Sequence, residues 1–390
     1  MTRFLAVWAI ALPGFAAFLV GVGLGRFSYP PMLPVMVHAG WLSAPEAAYV
    51  GAGNLIGSLV GALIGHVIGA RIGLVRALRA SLVVCVVATV ACALPWGFWW
   101  IAAWRIAIGI AGTMLTTLAA PILVGLAPMT IRGAVSGAVF TGAGLGLALS
   151  GLLVPPLAAF GVAAAWLGLS AATALATVIA WRGWPLVDSS AARPARHGRA
   201  LLSTPFLLLV AGYATDGIGF VPHGLFWVDF VARELGRGVE AGGLQWTLFG
   251  IGAALGPMIC GRLADAIGFA RALHVVFAVK ASAILLPLFA TGPLALTVSS
   301  MTVGALTPGL AAIISGVAFE LLGAAAHAPA WRWLMIAFAV TSTIGGYLFS
   351  LIFAITGSYR VLFALAGATL VLGGVLCALA TARLPRTATR

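Results

Sequence analysis

The chain has 390 residues, of which 62% are hydrophobic and 7% are charged, and its formal net charge is +13. A soluble globular domain carries about 25% charged residues, so this composition excludes one. Backbone polar groups must be paired inside hydrocarbon, which leaves helices or a closed barrel, and the continuous apolar runs favour helices.

The apolar runs predict twelve transmembrane helices in an all-α membrane protein. In chain order, the expected ranges are 4–37, 44–70, 74–95, 98–125, 131–158, 162–182, 203–234, 240–266, 270–290, 294–322, 331–356 and 359–382. The loops between these ranges are short. None of them is long enough to hold a soluble domain.

A repeated turn divides the chain into two halves. Residues 66–78 lie over residues 261–273 at an offset of 195, and each copy is a short arginine-bearing turn between long apolar runs. Parallel repeats of this kind build solute transporters with the site between the halves. We therefore predict two pseudo-symmetric six-helix bundles, at 1–182 and 203–390, joined by a cytoplasmic linker at 183–202.

The arginines indicate how the chain is oriented. With both termini inside, the cytoplasmic loops and tails hold fifteen arginines, and the opposite side holds Arg233, Arg237 and Arg360. This asymmetry follows the positive-inside rule, so the basic charge reports topology and not a nucleic-acid partner. We expect a monomer in the bacterial inner membrane with both termini cytoplasmic.

The sequence lacks the motifs of several other classes of protein. The four cysteines lie inside predicted helices without C-x-x-C spacing, so neither a disulfide nor a metal site is indicated. The phosphate-binding motif G-x-x-x-x-G-K-[ST] is absent, which argues against ATP-driven transport. H-E-x-x-H, G-x-S-x-G and paired carboxylates are also absent, so we expect neither an enzyme nor a cofactor. A non-transporting receptor is a further alternative and would show no flux in proteoliposomes.

The repeated turn resembles the signature of the major facilitator superfamily, G-x-x-x-D-x-x-G-x-x-R/K between helices two and three. The second copy keeps all four positions, as Gly261, Asp265, Gly268 and Arg271. The first copy has His66 and Ala70 where glycine and aspartate are expected, whereas Gly73 and Arg76 fit.

The resemblance implies a cytoplasmic gate in which Asp265 locks against the other half. We place Arg71, Arg76, Arg271 and Glu320 in the same gate. Because the first copy lacks the aspartate, a symmetric two-sided lock is not expected.

A closer resemblance lies in helix one. Residues 23–34 read G-L-G-R-F-S-Y-P-P-M-L-P and are similar to the G-x-G-R-F-x-Y-x-P-x-x-P element of the YbfB/YjiJ-like branch of that superfamily. Ala52-Gly-Asn54 and Gly217-Ile-Gly-Phe220 fit the same branch. The resemblance covers nearly the whole chain and implies transport by rocking of two bundles, with proton coupling and an unspecified substrate.

Two arginines inside predicted helices are candidate ligands for an anionic substrate. Arg26 lies about 30 Å into helix one, at 1.5 Å per residue, and Arg105 has a similar depth in helix four. Guanidinium groups bind carboxylates and phosphates in a bidentate manner. Alternatively, each arginine bonds to helix carbonyls or extends outward to the interface.

An aspartate and the only lysine are candidates for proton coupling. Asp216 in helix seven and Lys280 in helix nine have depths that agree to within a turn, so we predict an intramembrane ion pair that titrates during gating. Lys280 alternatively extends along lipid as a structural residue. His223 is a candidate both for carrying protons and for binding substrate, although packing alone also explains a histidine there.

Six other residues are candidate substrate contacts, namely Tyr29, Asn54, Phe220, Trp227, Gln245 and Trp246. Asn54 alternatively joins helix two to a neighbour. The aromatic residues are alternatively part of the interfacial belt. We expect Asp229, Arg233 and Glu234 to form a solvated outer rim.

The sequence therefore predicts a secondary transporter for a small organic solute. Buried cations outnumber buried anions, which favours an organic anion as the substrate. The alternative is a proton-driven exporter of drugs or metabolites, in which Asp216 serves a cationic or neutral cargo.

Overall fold

The computed structural model describes residues 2–128, 130–184 and 200–382, so most of the predicted linker, residues 185–199, lies outside the described residues. The described residues form helices and no strand. Twelve helices are long and apolar enough to span a membrane, which confirms the predicted fold class. They are α1 Phe4–His38, α2 Ala44–Ile72, α3 Leu74–Ala91, α4 Phe98–Leu126, α5 Arg132–Ala158, α6 Val162–Ala180, α7 Thr204–Glu234, α8 Gly238–Ile267, α9 Phe269–Leu288, α10 Pro293–Gly323, α11 Ala325–Thr356 and α12 Tyr359–Thr381.

The connection between α10 and α11 differs from the prediction. The sequence predicts a loop at 323–330, but helical structure continues through this stretch and breaks only at Gly323, where φ is 74° and ψ is 172°. This conformation is accessible to glycine and strained for other residues. A single glycine therefore replaces the expected loop, and α11 begins about six residues early.

Two prolines change the hydrogen bonding of α1. The helix adopts a π-helical register over Leu19–Arg26 and returns to α-helix at Tyr29. Pro30 and Pro31 have no amide hydrogen to donate to the carbonyls four residues earlier, which belong to Arg26 and Phe27. A buried carbonyl needs a donor, so these two groups need partners from outside α1.

The repeated turn is duplicated in its backbone geometry as well as in its sequence. Gly73 has φ 91° and ψ 142°, and Gly268 has φ 84° and ψ 152°. The amide of Gly73 donates to the carbonyl of Gly69 at 3.0 Å, and that of Gly268 donates to Ala264 at 2.8 Å. A positive φ favours glycine, so both copies need a glycine at this position. The two glycines, 195 residues apart, therefore form the same kind of turn.

The same offset relates two close helix–helix contacts. A Cβ on Gly61 of α2 would overlap the carbonyl oxygen of Ile110 in α4, and a Cβ on Gly256 of α8 would overlap that of Ala305 in α10. Small residues let membrane helices approach this closely. Both partners of the second contact lie 195 residues after those of the first.

The chain groups into two compact units. The first contains residues 1–190 and 224–254, and the second contains residues 191–223 and 255–390. The boundaries between these units therefore fall within α7 and α8. The division into two bundles at a linker stays a prediction.

Candidate functional site

Arg105 is buried in the first unit and bonds to the backbone of α1. Its side chain is 1% exposed, Nη1 donates to the carbonyl of Gly25, and Nη2 donates to that of Arg26, both at 2.7 Å. Its Cζ lies 4.8 Å from the ring centroid of Tyr29, whose hydroxyl donates to the carbonyl of Ala47 at 2.6 Å. This guanidinium therefore satisfies a carbonyl that a proline leaves without a donor. Substrate contact by Arg105 and Tyr29 stays a prediction.

Asn54 joins α2 to α4 at the same level. Its Nδ2 donates to the carbonyl of Arg105 at 2.9 Å, and the residue is buried. Its Oδ1 has no hydrogen-bond partner among the described residues. The amide thus makes the helix-joining contact that the sequence offers as one alternative and retains one acceptor.

Arg26 contrasts with Arg105 because its guanidinium has no hydrogen-bond or ion-pair partner within the described part of the chain. Its Cζ lies 5.0 Å from the ring centroid of Phe27. The side chain is partly exposed, whereas most of α1 around it, including Gly23–Gly25 and Ser28–Met36, is buried. An arginine at this depth is costly in lipid and normally faces the protein interior or water. Binding of an anion by Arg26 stays a prediction.

Trp246 satisfies the second carbonyl that the prolines leave without a donor. Its Nε1 donates to the carbonyl of Phe27 at 2.9 Å, and the hydroxyl of Ser150 lies 3.2 Å from the same carbonyl. Trp246 also stacks on Phe249, with a centroid distance of 4.9 Å. Trp246 and Trp227 are fully buried and Gln245 is buried as well, so the two tryptophans do not belong to an interfacial belt.

The expected outer rim is wrong for Asp229. This residue is fully buried, and both of its carboxylate oxygens accept hydrogen bonds from Arg233, one of them from Nη2 at 2.7 Å. The spacing of four residues along α7 brings the two side chains together. Arg233 is partly exposed and Glu234 is exposed, so the solvated rim begins one turn later than predicted.

Asp216 and Lys280 form an ion pair in the second unit. Nζ of Lys280 donates to Oδ1 of Asp216 at 2.6 Å, and both side chains are 0% exposed. Oδ2 of Asp216 has no partner among the described residues. The pairing predicted from helix depth is therefore present, and its role in coupling stays a prediction.

A second polar contact lies nearby. Nε2 of His223 is 2.8 Å from the hydroxyl of Ser299, which donates its hydrogen to the carbonyl of Ala283 at 2.7 Å. A serine hydroxyl has a single hydrogen, so His223 donates from Nε2 in the arrangement that satisfies both contacts. His223 is fully buried, and its ring meets Phe363 edge-on at 5.4 Å.

Phe220 belongs to an aromatic group within the second unit. Its ring lies 6.4 Å from that of Phe338, which in turn lies 5.1 Å from Tyr213. Phe220 and Tyr213 are buried. Substrate contact by Phe220, like that by Trp227, Gln245 and Trp246, stays a prediction.

The five predicted gate residues are all exposed at helix ends. They are Arg71, Arg76, Asp265, Arg271 and Glu320. Within the described part of the chain, none of them makes an ion pair or a side-chain hydrogen bond. The gate stays a prediction.

Sequence reasoning missed the residues that position these side chains. Ser150 and Ser299 are hydroxyl residues in largely apolar helices, and only packing identifies their partners. Pro30 and Pro31 did carry a signal, because a proline pair inside a helix leaves two carbonyls without donors. Among the described residues, no group of three or more histidines, cysteines or carboxylates is placed to hold a metal ion.

Comparison with known families identifies the chain. The profile described as uncharacterised MFS-type transporter YbfB matches residues 18–378. The chain belongs to this family. It is therefore a multi-pass membrane transporter of the major facilitator type, as the element in α1 predicts. No curated protein matches it significantly.

Proposed function

We propose that this family member is a secondary active transporter that moves a small organic anion by alternating access and couples the movement to protons. We place it in the bacterial inner membrane as a monomer with both termini cytoplasmic. The observation that carries the proposal is the guanidinium of Arg26, which has no partner in the described part of the chain.

The charge of Arg26 supports an anionic substrate. An unpaired cation at this depth in a membrane costs free energy, and a carboxylate that accepts two of its hydrogen bonds recovers part of that cost. Arg105 lies nearby and is occupied by carbonyls of α1, so its charge adds to the positive potential without requiring contact. Asn54 Oδ1 supplies an acceptor at a similar level, which suits a substrate that also carries a hydroxyl.

The ion pair of Asp216 and Lys280 supports proton coupling. Each charge is fully buried, so the pair depends on its own geometry to remain ionised. A shift of helices that lengthens the contact favours the neutral forms, because an isolated buried charge is much less stable. Lysine can lose its proton when desolvated, which arginine cannot.

The export of a cationic or neutral cargo is the second candidate function, and it would need Asp216 as the binding group. In this structure Asp216 is paired with Lys280 and is inaccessible to solvent. The paired aspartate therefore favours the organic anion.

Ligand stabilisation tests the substrate class. Purified protein is heated with a panel of mono- and dicarboxylic acids and with amines of matched carbon skeleton. We expect a carboxylate to raise the melting temperature, because a ligand that binds only the native state stabilises it by mass action. Arg26→Gln should abolish this shift, and Arg332→Gln, which removes an exposed arginine, should keep it. A shift from amines alone, or one that persists in Arg26→Gln, would contradict the proposal.

Proteoliposomes test the coupling. Uptake of the stabilising carboxylate is measured with and without a pH gradient. We expect the gradient to drive accumulation by the wild type and not by Lys280→Met, because methionine exchanges no proton. Normal gradient-driven accumulation by Lys280→Met would exclude the pair from coupling.

A further inference from the structure

Arg79, near the start of α3, carries a second guanidinium without a hydrogen-bond or ion-pair partner among the residues that the structure describes. Its Cζ lies 5.3 Å from the ring centroid of Trp181, which directly follows α6. Its Nε is buried and has no hydrogen-bond partner among the described residues. An indole that covers one face of a guanidinium leaves the donors at its edge free to bond to the oxygens of a phosphate or carboxylate.

The surroundings of Arg79 carry positive charge without a described carboxylate. Arg76 lies one turn earlier on α3, Arg182 follows Trp181, and both are exposed. Glu46, in the first turn of α2, lies at the opposite end of that helix, and the other described carboxylates of the first unit are in α7 and α8. We call Arg76, Arg79, Trp181 and Arg182 the Arg79 cluster.

Two apolar stripes lead along the helices to this cluster. Val83, Val87 and Val90 follow Arg79 at intervals of three or four residues on α3, and all three are exposed. On α6, Leu175 and Val178 are 67% and 70% exposed and share a helix face, and Arg182 follows two residues after this helix ends at Ala180. The two helices pack against each other, so their stripes are neighbours. In a membrane protein, exposed apolar stripes of this kind contact acyl chains.

We propose that the Arg79 cluster binds the phosphate of an anionic phospholipid whose acyl chains lie along these stripes. The phosphate oxygens accept from the guanidinium groups of Arg79, Arg76 and Arg182. Basic sites at helix ends bind lipid headgroups in this way. The acyl stripes favour a lipid over free phosphate. The site is independent of the transported substrate.

Lipid-dependent stability tests the proposal on the full-length protein in detergent. The melting temperature is measured during titration with dioleoyl phosphatidylglycerol, with dioleoyl phosphatidylcholine or with inorganic phosphate. We expect phosphatidylglycerol to give the largest rise. Arg79→Gln should weaken its apparent affinity about five- to tenfold, the effect expected from losing one basic contact at a membrane surface. Trp181→Leu should also weaken it, because the indole no longer holds the Arg79 guanidinium in place.

Matched variants separate a specific site from general charge. Arg332→Gln removes one charge from an exposed position of the second unit and should keep the wild-type lipid response. Arg79→Lys keeps the charge without the planar edge and should show reduced affinity. Equal losses in Arg79→Gln and Arg332→Gln would overturn the proposal, and so would a full response to inorganic phosphate.

Discussion

At the scale of single residues, prolines determine where the buried arginine and tryptophan bond. Pro30 and Pro31 leave the carbonyls of Arg26 and Phe27 without helical donors, and Arg105 and Trp246 supply the missing hydrogens. Arg105 and Trp246 therefore bond to carbonyls of α1 that have no amide donor within their own helix. The element that resembles the YbfB-like branch contains both prolines.

This arrangement makes a testable prediction about Arg105. Arg105→Met leaves the carbonyl of Arg26 without this donor, at about 1–3 kcal/mol, and leaves the carbonyl of Gly25 with only the long contact from the Ser28 hydroxyl at 3.5 Å, so it should lower the melting temperature markedly. Adding Pro30→Ala should recover part of the loss, because alanine restores an amide that donates to the carbonyl of Arg26. Thermal unfolding of the two single variants and the double variant measures the coupling. Independent, additive effects would contradict the assigned contact.

The sequence predicted some of these residues and missed others for a physical reason. Asp216 and Lys280 were paired from their depths alone, because a charge inside a membrane helix needs a partner and few were available. The prediction for Asp229 is wrong because three charged residues near the outer end of α7 indicate a solvated rim, whereas Asp229 is fully buried. How deeply α7 is buried depends on its packing, which sequence periodicity does not report.

At the scale of helices, the apolar runs predicted all twelve spans to within a few residues at most ends. The sequence did not predict two features, both at places where the backbone departs from a regular helix or loop. The π-helical segment Leu19–Arg26 has no distinct hydrophobic pattern, and Gly323 breaks the chain without the polar residues that normally mark a loop. Hydropathy locates spans and does not resolve hydrogen-bond register.

The repeated close approach of helices makes a prediction at this scale. Gly61→Ala and Gly256→Ala each place a methyl group against a carbonyl of the facing helix, and each should cost about 1–3 kcal/mol. Gly133→Ala is the control, because a Cβ there meets nothing within 4 Å. Melting temperatures of the three variants test this. A Gly256→Ala protein as stable as Gly133→Ala would contradict the second contact.

At the scale of the whole molecule, composition and the repeat predicted the fold class, because a duplicated, lipid-buried chain has few alternatives. The substrate could not be predicted in the same way, since it depends on side-chain geometry within the fold. Orientation rests on the arginine distribution and can be measured directly.

Cysteine labelling tests the orientation. The four native cysteines are buried and should react little with a membrane-impermeant maleimide. Phe160→Cys, at a position 82% exposed between α5 and α6, should be labelled in intact cells. Gly133→Cys, at the start of α5, should be labelled only after permeabilisation. The reverse pattern would invert the topology.

The turns at Gly73 and Gly268 have no side-chain cap and are closed by main-chain bonds. A bend held this way does not depend on the identity of its neighbours. The first copy therefore forms this turn with Ala70 at the position that Asp265 holds in the second copy. The charge beside the turn can differ between the two copies while the backbone geometry stays the same.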